Sequence, residues 1–306
     1  MRRILVIKHG ALGDFVLATG PFMAIRAHHL GDHVTLLTTP PYVGMARASR
    51  LFDQVWTDTR PRIWQVGAWV ELLQRLREHR FDRVYDLQTS KRSGLYYRFF
   101  PRPKPEWSGI VRGATLRHDT PERTHMHTVD RQAEQLRIAG IEHVPHPDIS
   151  WFKADLTHLA LPKEFALLVP GGSAHRPAKR WPAPNYAALT QRFAQLGIGT
   201  VAIGGKGDEA ATAAVAAAGG MDLCSRTSLE EVAELARRAV VAVGNDTGPM
   251  HLAATAGSRS VVLFSNASDP ALCAPRGQAV RILRRPALKD LTVEEVAEMA
   301  LKVRRP

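Results

Sequence analysis

Apolar positions along this chain recur in two alternating rhythms. Compact runs of aliphatic and β-branched residues occupy residues 3–8, 33–37, 53–57 and 83–87 of the first half, and they predict strands. Between them, residues 15–29 and 63–79 place apolar side chains three and four apart, the spacing of one helical face. Residues 127–140 (HTVDRQAEQLRIAG) predict a further amphipathic helix with a glycine stop. Residues 141–162 are rich in Pro and His, show no strong period, and read as a linker. The rhythm then restarts, with strands at 165–169, 200–203, 222–224, 239–243 and 260–264 and helices at 183–196, 208–218 and 228–238. Residues 291–303 predict a terminal helix capped by Thr292. Alternation of this kind builds parallel sheets with crossover helices. The expectation is an α/β fold of two Rossmann-like domains, residues 1–150 and 151–290, facing a cleft, followed by a terminal segment 291–306. Binding sites in such sheets form where strand C-termini meet helix N-termini.

Composition narrows the classes. A chain of 306 residues with 45% apolar and 23% charged content folds into globular domains rather than staying disordered. No apolar run approaches the roughly 18 residues of a membrane span. The opening MRRILVIKHGALGDF reads as a first strand, not a signal peptide. Cys224 and Cys273 give neither a disulfide framework nor zinc spacing, which fits a reducing cytoplasm. The net charge of +12 is uneven: residues 60–104 hold eleven Lys and Arg against four Asp and Glu. Such a face attracts anionic membrane or an acidic substrate, or is simply a solvated Arg-rich surface. Zinc-finger spacing and aromatic RNA-binding motifs are both absent, so nucleic acid is not an expected partner.

Three strand-to-helix junctions carry candidate chemistry. The first is KHGALGDF, residues 8–15, where Gly10 and Gly13 permit a tight turn and Asp14 lies near the helix start. A carboxylate there either caps the helix or serves as a general base for a hydroxyl nucleophile. The second is VPGGSAHRPAKRWP, residues 169–182, with donors at Gly171, Gly172 and Ser173 and positive charge at Lys179 and Arg180. An ammonium about 4 Å from a phosphate oxygen gives roughly 4 kcal/mol at an effective dielectric near 20. A surface helix dipole gives about 0.3–1 kcal/mol, so Lys179 would dominate at a diphosphate. The third is GNDTGPMHLAATAG, residues 244–257. Asp246 or Thr247 can cap its helix, Gly248 admits a ligand to the backbone, Pro249 suits the first turn, and His251 shares a face with Thr247.

Competing motifs are weaker. Gly205 to Ala210 fit the dinucleotide pattern G-x-G-x-x-A after a strand, but Asp208 and Glu209 would repel a pyrophosphate. Residues 197–202 fit it too, yet precede their strand. Walker A and Asp-x-Asp patterns do not occur. His125 with His127, and His143 with His146, lack the further ligands a metal needs, so no metal site and no cofactor are expected.

Taken in order, ILVIKHGALGDFVLATGP (4–21), VYDLQTSKRS (84–93), PGGSAHRPAKRWP (170–182) and TSLEEVAELARRAVVAVGNDTGPMHLAATAG (227–257) resemble family 9 of the glycosyltransferases, the ADP-heptose:lipopolysaccharide heptosyltransferases. The tail LFSNASDPALCAPRG (263–277) is similar as well. The resemblance implies a GT-B fold, with an acceptor domain first, a nucleotide-sugar domain second, and the terminal helix packing back on the first. It implies metal-independent, inverting transfer of heptose from a nucleotide sugar, ADP-heptose, to an anionic lipopolysaccharide core or lipid A precursor. The enzyme would then sit peripherally at the inner face of the cytoplasmic membrane. Asp14 matches the family's base and Lys179 its phosphate-binding lysine. Asp246, Thr247, Gly248 and His251 match the donor motif, with Ser173, Thr227, Ser228 and Leu229 near the nucleotide. Gly13, Lys91 and Arg92 would face the acceptor. The chain departs from the pattern at His175 and Pro177, and at Ser265-Asn266-Ala267 in place of a Gly-containing turn. Other readings are a nucleotide-sugar epimerase, a protein-directed transferase, or a non-catalytic binder of nucleotide sugar or anionic lipid.

Overall fold

The computed structural model describes every residue except Ile63, Ala174 and Pro306. The chain divides into two compact units, Met1–Trp151 and Phe152–Pro306. The first unit is built on one parallel sheet of six strands: β1 (Arg3–Ile7), β2 (His33–Thr38), β3 (Gln54–Thr57), β4 (Arg83–Asp86), β5 (Glu106–Gly109) and β6 (Leu116–Arg117). Their spatial order is β3-β2-β1-β4-β5-β6. The second unit repeats this plan with β7 (Phe165–Val169), β8 (Gly199–Ala202), β9 (Met221–Asp222), β10 (Val241–Asn245), β11 (Ser260–Phe264) and β12 (Val280–Arg284). Its order, β12-β11-β10-β7-β8-β9, is the same Rossmann arrangement read from the opposite edge.

The apolar runs take the central places because helices cover both faces there. Ile4, Leu5, Val6 and Ile7 of β1 are wholly buried, as are Ala166, Leu167 and Leu168 of β7. Val6 pairs with Leu36 on one side and Tyr85 on the other; Val243 sits likewise between Leu168 and Val261. The strand order reverses between β1 and β4 and again between β7 and β10. Each reversal opens a crevice at the strands' carboxyl ends.

Several elements differ from the apolar pattern. The helix expected over 15–29 starts earlier and is two helices, Leu12–Leu17 and Thr19–His28. Pro21 has no N–H to offer the Leu17 carbonyl one turn back, so the ladder breaks there. The helix expected over 63–79 is Val66–Glu78, and Ile63 itself lies outside the described residues. Helix Lys91–Phe99 and strands β5, β6 and β12 have no counterpart in the pattern reading.

The terminal helix, Val293–Val303, lies on the second unit's own sheet. Val296, Ala297, Ala300 and Val303 join one core with Trp181, Tyr186, Leu189, Val241 and Val261. Its capping box, Thr292 with Glu295, starts it in place, and its apolar stripe packs on β10 and β11.

Candidate active site

In the second unit, Lys179, Asp246 and His251 come together beside the start of helix Gly248–Thr255. Asn245, the last residue of β10, is fully buried and uses all four of its hydrogen-bonding positions. Its Nδ2 donates to the carbonyls of Pro170 (2.8 Å) and Gly171 (3.0 Å), while its Oδ1 accepts from the Trp181 N–H (3.0 Å) and the Tyr186 hydroxyl (3.1 Å). One side chain therefore ties both ends of the loop after β7 to the loop after β10. Ala174, inside that first loop, lies outside the described residues.

Lys179 is delivered by a short 3-10 turn, Pro177–Lys179. Its Nζ lies 2.5 Å from Asp246 Oδ2, which also accepts from the Ser268 hydroxyl at 2.6 Å. His251 Nε2 stands 4.0 Å from the other oxygen of Asp246. Asp246 is thus occupied with Lys179 and does not cap the adjoining helix. Thr247 holds the N-cap position of Gly248–Thr255, but no side chain caps that helix; the Thr247 hydroxyl donates to the Asn245 carbonyl instead, at 3.3 Å. The positive end of the helix is left uncapped beside an ammonium, an arrangement suited to a phosphate. A Cβ built on Gly172 would come 3.6 Å from the Thr247 methyl, so the two loops touch.

Other predicted donor residues are partly committed. The Ser228 hydroxyl caps helix Leu229–Arg238 in a capping box with Glu231, with Thr227 just before it. The Gly172 N–H, expected to face a ligand, donates to Asp208 at 3.2 Å, whereas Ser173 is exposed. Ser268 lies in the tail that departs from the family pattern. Asn245, Asp208 and Ser268 are not among the predicted site residues. Their signal in the chain is only that each lies at a strand end or in the loop after one.

In the first unit, Asp14 falls in the first turn of helix Leu12–Leu17, after an N-cap, Ala11, with no side-chain cap bond. The capping alternative for Asp14 therefore does not hold. Its electrostatic neighbours are Lys8 and Tyr42. Lys8 is buried, its Nζ donating to the Leu87 carbonyl at 3.1 Å; burial pulls its amine below the usual range and Asp14 works against that pull. Asp86, at the end of β4, is fully buried, and burial raises its carboxyl to about 6.

A cleft of about 370 Å³ opens at the ends of β1, β2 and β3, lined by His9, Thr39, Tyr42, Asp58 and Arg60 among others. Burial lowers the His9 imidazole to about 4, so it is neutral at pH 7. Gly13 is buried, and Lys91 is exposed at the start of its helix. Arg92, expected at the acceptor, is bonded to Asp58 of this cleft. Its Nε and Nη2 donate to Asp58 at 2.9 and 2.8 Å, and its guanidinium stacks 4.4 Å from the Trp69 ring centroid. Burial opposes the charge on Asp58, yet Arg92 and Tyr96 hold its carboxyl below the usual range. Among the described residues no group of three His, Cys, Asp or Glu is placed to hold a metal ion.

Residues 69–300 match glycosyltransferase family 9 (heptosyltransferase). Lipopolysaccharide heptosyltransferase 2 of Escherichia coli (strain K12) is 24% identical over 315 residues, covering 92% of this chain and 88% of that protein. Among solved structures, E. coli ADP-heptose lps heptosyltransferase II shares a TM-score of 0.82 at 22% identity, over 99% of this chain and 98% of that one. The family 9 glycosyl transferase from Veillonella parvula DSM 2008 gives 0.84 at 20% identity, over 99% and 97%. E. coli heptosyltransferase WaaC with ADP gives 0.77 at 19%, over 98% and 99%. These likenesses show the GT-B fold. With well over half of its residues matched to the family, the chain belongs to glycosyltransferase family 9, the heptosyltransferases, and is a glycosyltransferase.

Proposed function

We propose that this enzyme transfers heptose from ADP-heptose to an anionic lipopolysaccharide core or lipid A precursor, with inversion and without a metal ion. The observation that carries the reading is Lys179 held by Asp246, itself bonded to Ser268, beside the uncapped start of helix Gly248–Thr255. In this reading, Lys179 and the open end of that helix stabilise the diphosphate as it leaves, as preorganised electrostatics. Asp246 and His251 orient the donor. Gly248, the first residue of the helix, opens its backbone to the same ligand. Ser173 and the segment Thr227, Ser228 and Leu229 lie near the nucleotide.

Asp14 accepts the proton of the acceptor hydroxyl, a role that typically contributes about 10²–10⁴-fold. The first unit's cleft at His9, Thr39, Tyr42 and Arg60, with Gly13 and the exposed Lys91, is the acceptor side. ADP bound to E. coli WaaC supports adenine as the base. No helix among the described residues is long and apolar enough to cross a membrane. Residues 60–104, with eleven basic against four acidic residues, carry much of the basic surplus, which supports peripheral contact with the anionic inner face of the cytoplasmic membrane.

The test is to incubate ADP-heptose with and without a lipid A precursor, with EDTA present. Acceptor-dependent release of ADP is expected. Release of a rearranged sugar without acceptor, or activity that returns only when Mg²⁺ is added, would overturn the reading.

A further inference from the structure

We propose that Asp208 and Arg180 are positioning residues that set the loop Gly171–Ser173 for a diphosphate. The inference rests on the reading above that a nucleoside diphosphate binds this crevice. Asp208 belongs to the turn after β8, in the glycine pattern that a dinucleotide site would use. Its carboxylate is turned to the neighbouring loop. Oδ1 accepts from the Gly172 N–H at 3.2 Å and from Arg180 Nη2 at 3.0 Å, while Oδ2 accepts from the Gly205 N–H at 3.0 Å. Arg180 closes the clasp: Nη2 also donates to the Gly172 carbonyl, and Nη1 donates to the Gly207 carbonyl at 3.2 Å.

Gly172 is therefore held at both its N–H and its carbonyl, and Ser173 follows it directly. A Cβ at Gly171 would collide with the Asp208 carboxylate, so only glycine lets that group come this close. The Asp208 part of the negative charge that argues against a pyrophosphate at residues 205–210 is paired with Arg180 and used to fix the other loop. An amide in place of the carboxylate keeps one acceptor oxygen and turns an NH₂ toward a donor, so at least one of the three bonds is lost.

The experiment is calorimetric ADP binding and donor and acceptor KM for wild type, Asp208→Asn, Arg180→Gln and the double variant, with the Tm of each. Each single variant is expected to weaken ADP and raise the donor KM about tenfold, with acceptor KM unchanged. The double variant should lose no more than the worse single, because both residues act through Gly172. Wild-type-like ADP binding in both single variants overturns the inference alone, as does a double loss equal to the product of the singles, which marks independent contacts with the ligand. A wild type that binds no ADP overturns the functional reading and this inference together.

Discussion

Lys179 Nζ and Asp246 Oδ2 form a short, largely buried ion pair across 67 residues of chain. Removing one partner strands the other's charge, which costs more than the pair itself contributes. Lys179→Ala leaves Asp246 negative where a diphosphate is expected, so ADP should bind roughly ten- to hundredfold more weakly, about 1.4–2.8 kcal/mol. Adding Asp246→Asn to that variant should recover part of the loss. A double-mutant cycle by calorimetry measures the coupling, and strict additivity would contradict it.

Asp14→Asn should lower turnover by about two to four decades while leaving ADP affinity intact, because the helix it begins has no side-chain cap bond for the amide to disturb. Paired rate and binding measurements decide the matter. Wild-type-like turnover would remove Asp14 from the chemistry.

Asn245→Ala should destabilise the fold by about 2–4 kcal/mol in urea unfolding, since two carbonyls, an N–H and a hydroxyl lose their partner together. Asn245→Asp should be at least as damaging: its acid group faces the carbonyls of Pro170 and Gly171. A loss below about 1 kcal/mol for the alanine variant would mean that water replaces the staple.

Acid should reveal His9. Folded His9 stays neutral down to about pH 4, whereas the unfolded chain protonates near 6.5. Between those values the unfolded state holds the extra proton, so His9's contribution falls as pH falls. Buried Asp86 runs the other way. Its folded carboxyl titrates at about 6, above the unfolded value of 3.8, so its contribution is full below 3.8 and lost as pH rises through 6. The two oppose each other on acidification. His9→Gln removes the His9 trend, so the penalty of that substitution should shrink by about 3 kcal/mol between pH 7 and pH 4. Urea midpoints at both pH values check this.

The central strands are legible in the chain because burial on both faces makes them continuous apolar runs, as in residues 4–7 and 165–169. Strands β5 and β6 are not: they read EWSG and LR, too short and too polar to stand out from a loop. Among the candidate residues of the two units, Asp14, Lys179 and the helix after β10 are visible as strand-to-helix junctions. The staples are hidden: Asn245 acts on residues 59 to 75 positions away, and Asp208 on Gly172, 36 away. Periodicity reports neighbours along a helix or strand, not partners across a sheet. Arg92 escapes it for the same reason, since its carboxylate, Asp58, lies 34 residues upstream.

The Trp181 indole, one residue beyond Arg180, donates to the Leu291 carbonyl at 2.9 Å, immediately before the cap of helix Val293–Val303. That helix is thereby fastened to the loop after β7. Loosening it, by trimming its last turn or fusing a tag there, should consequently register first as altered nucleotide affinity, well before any loss of solubility.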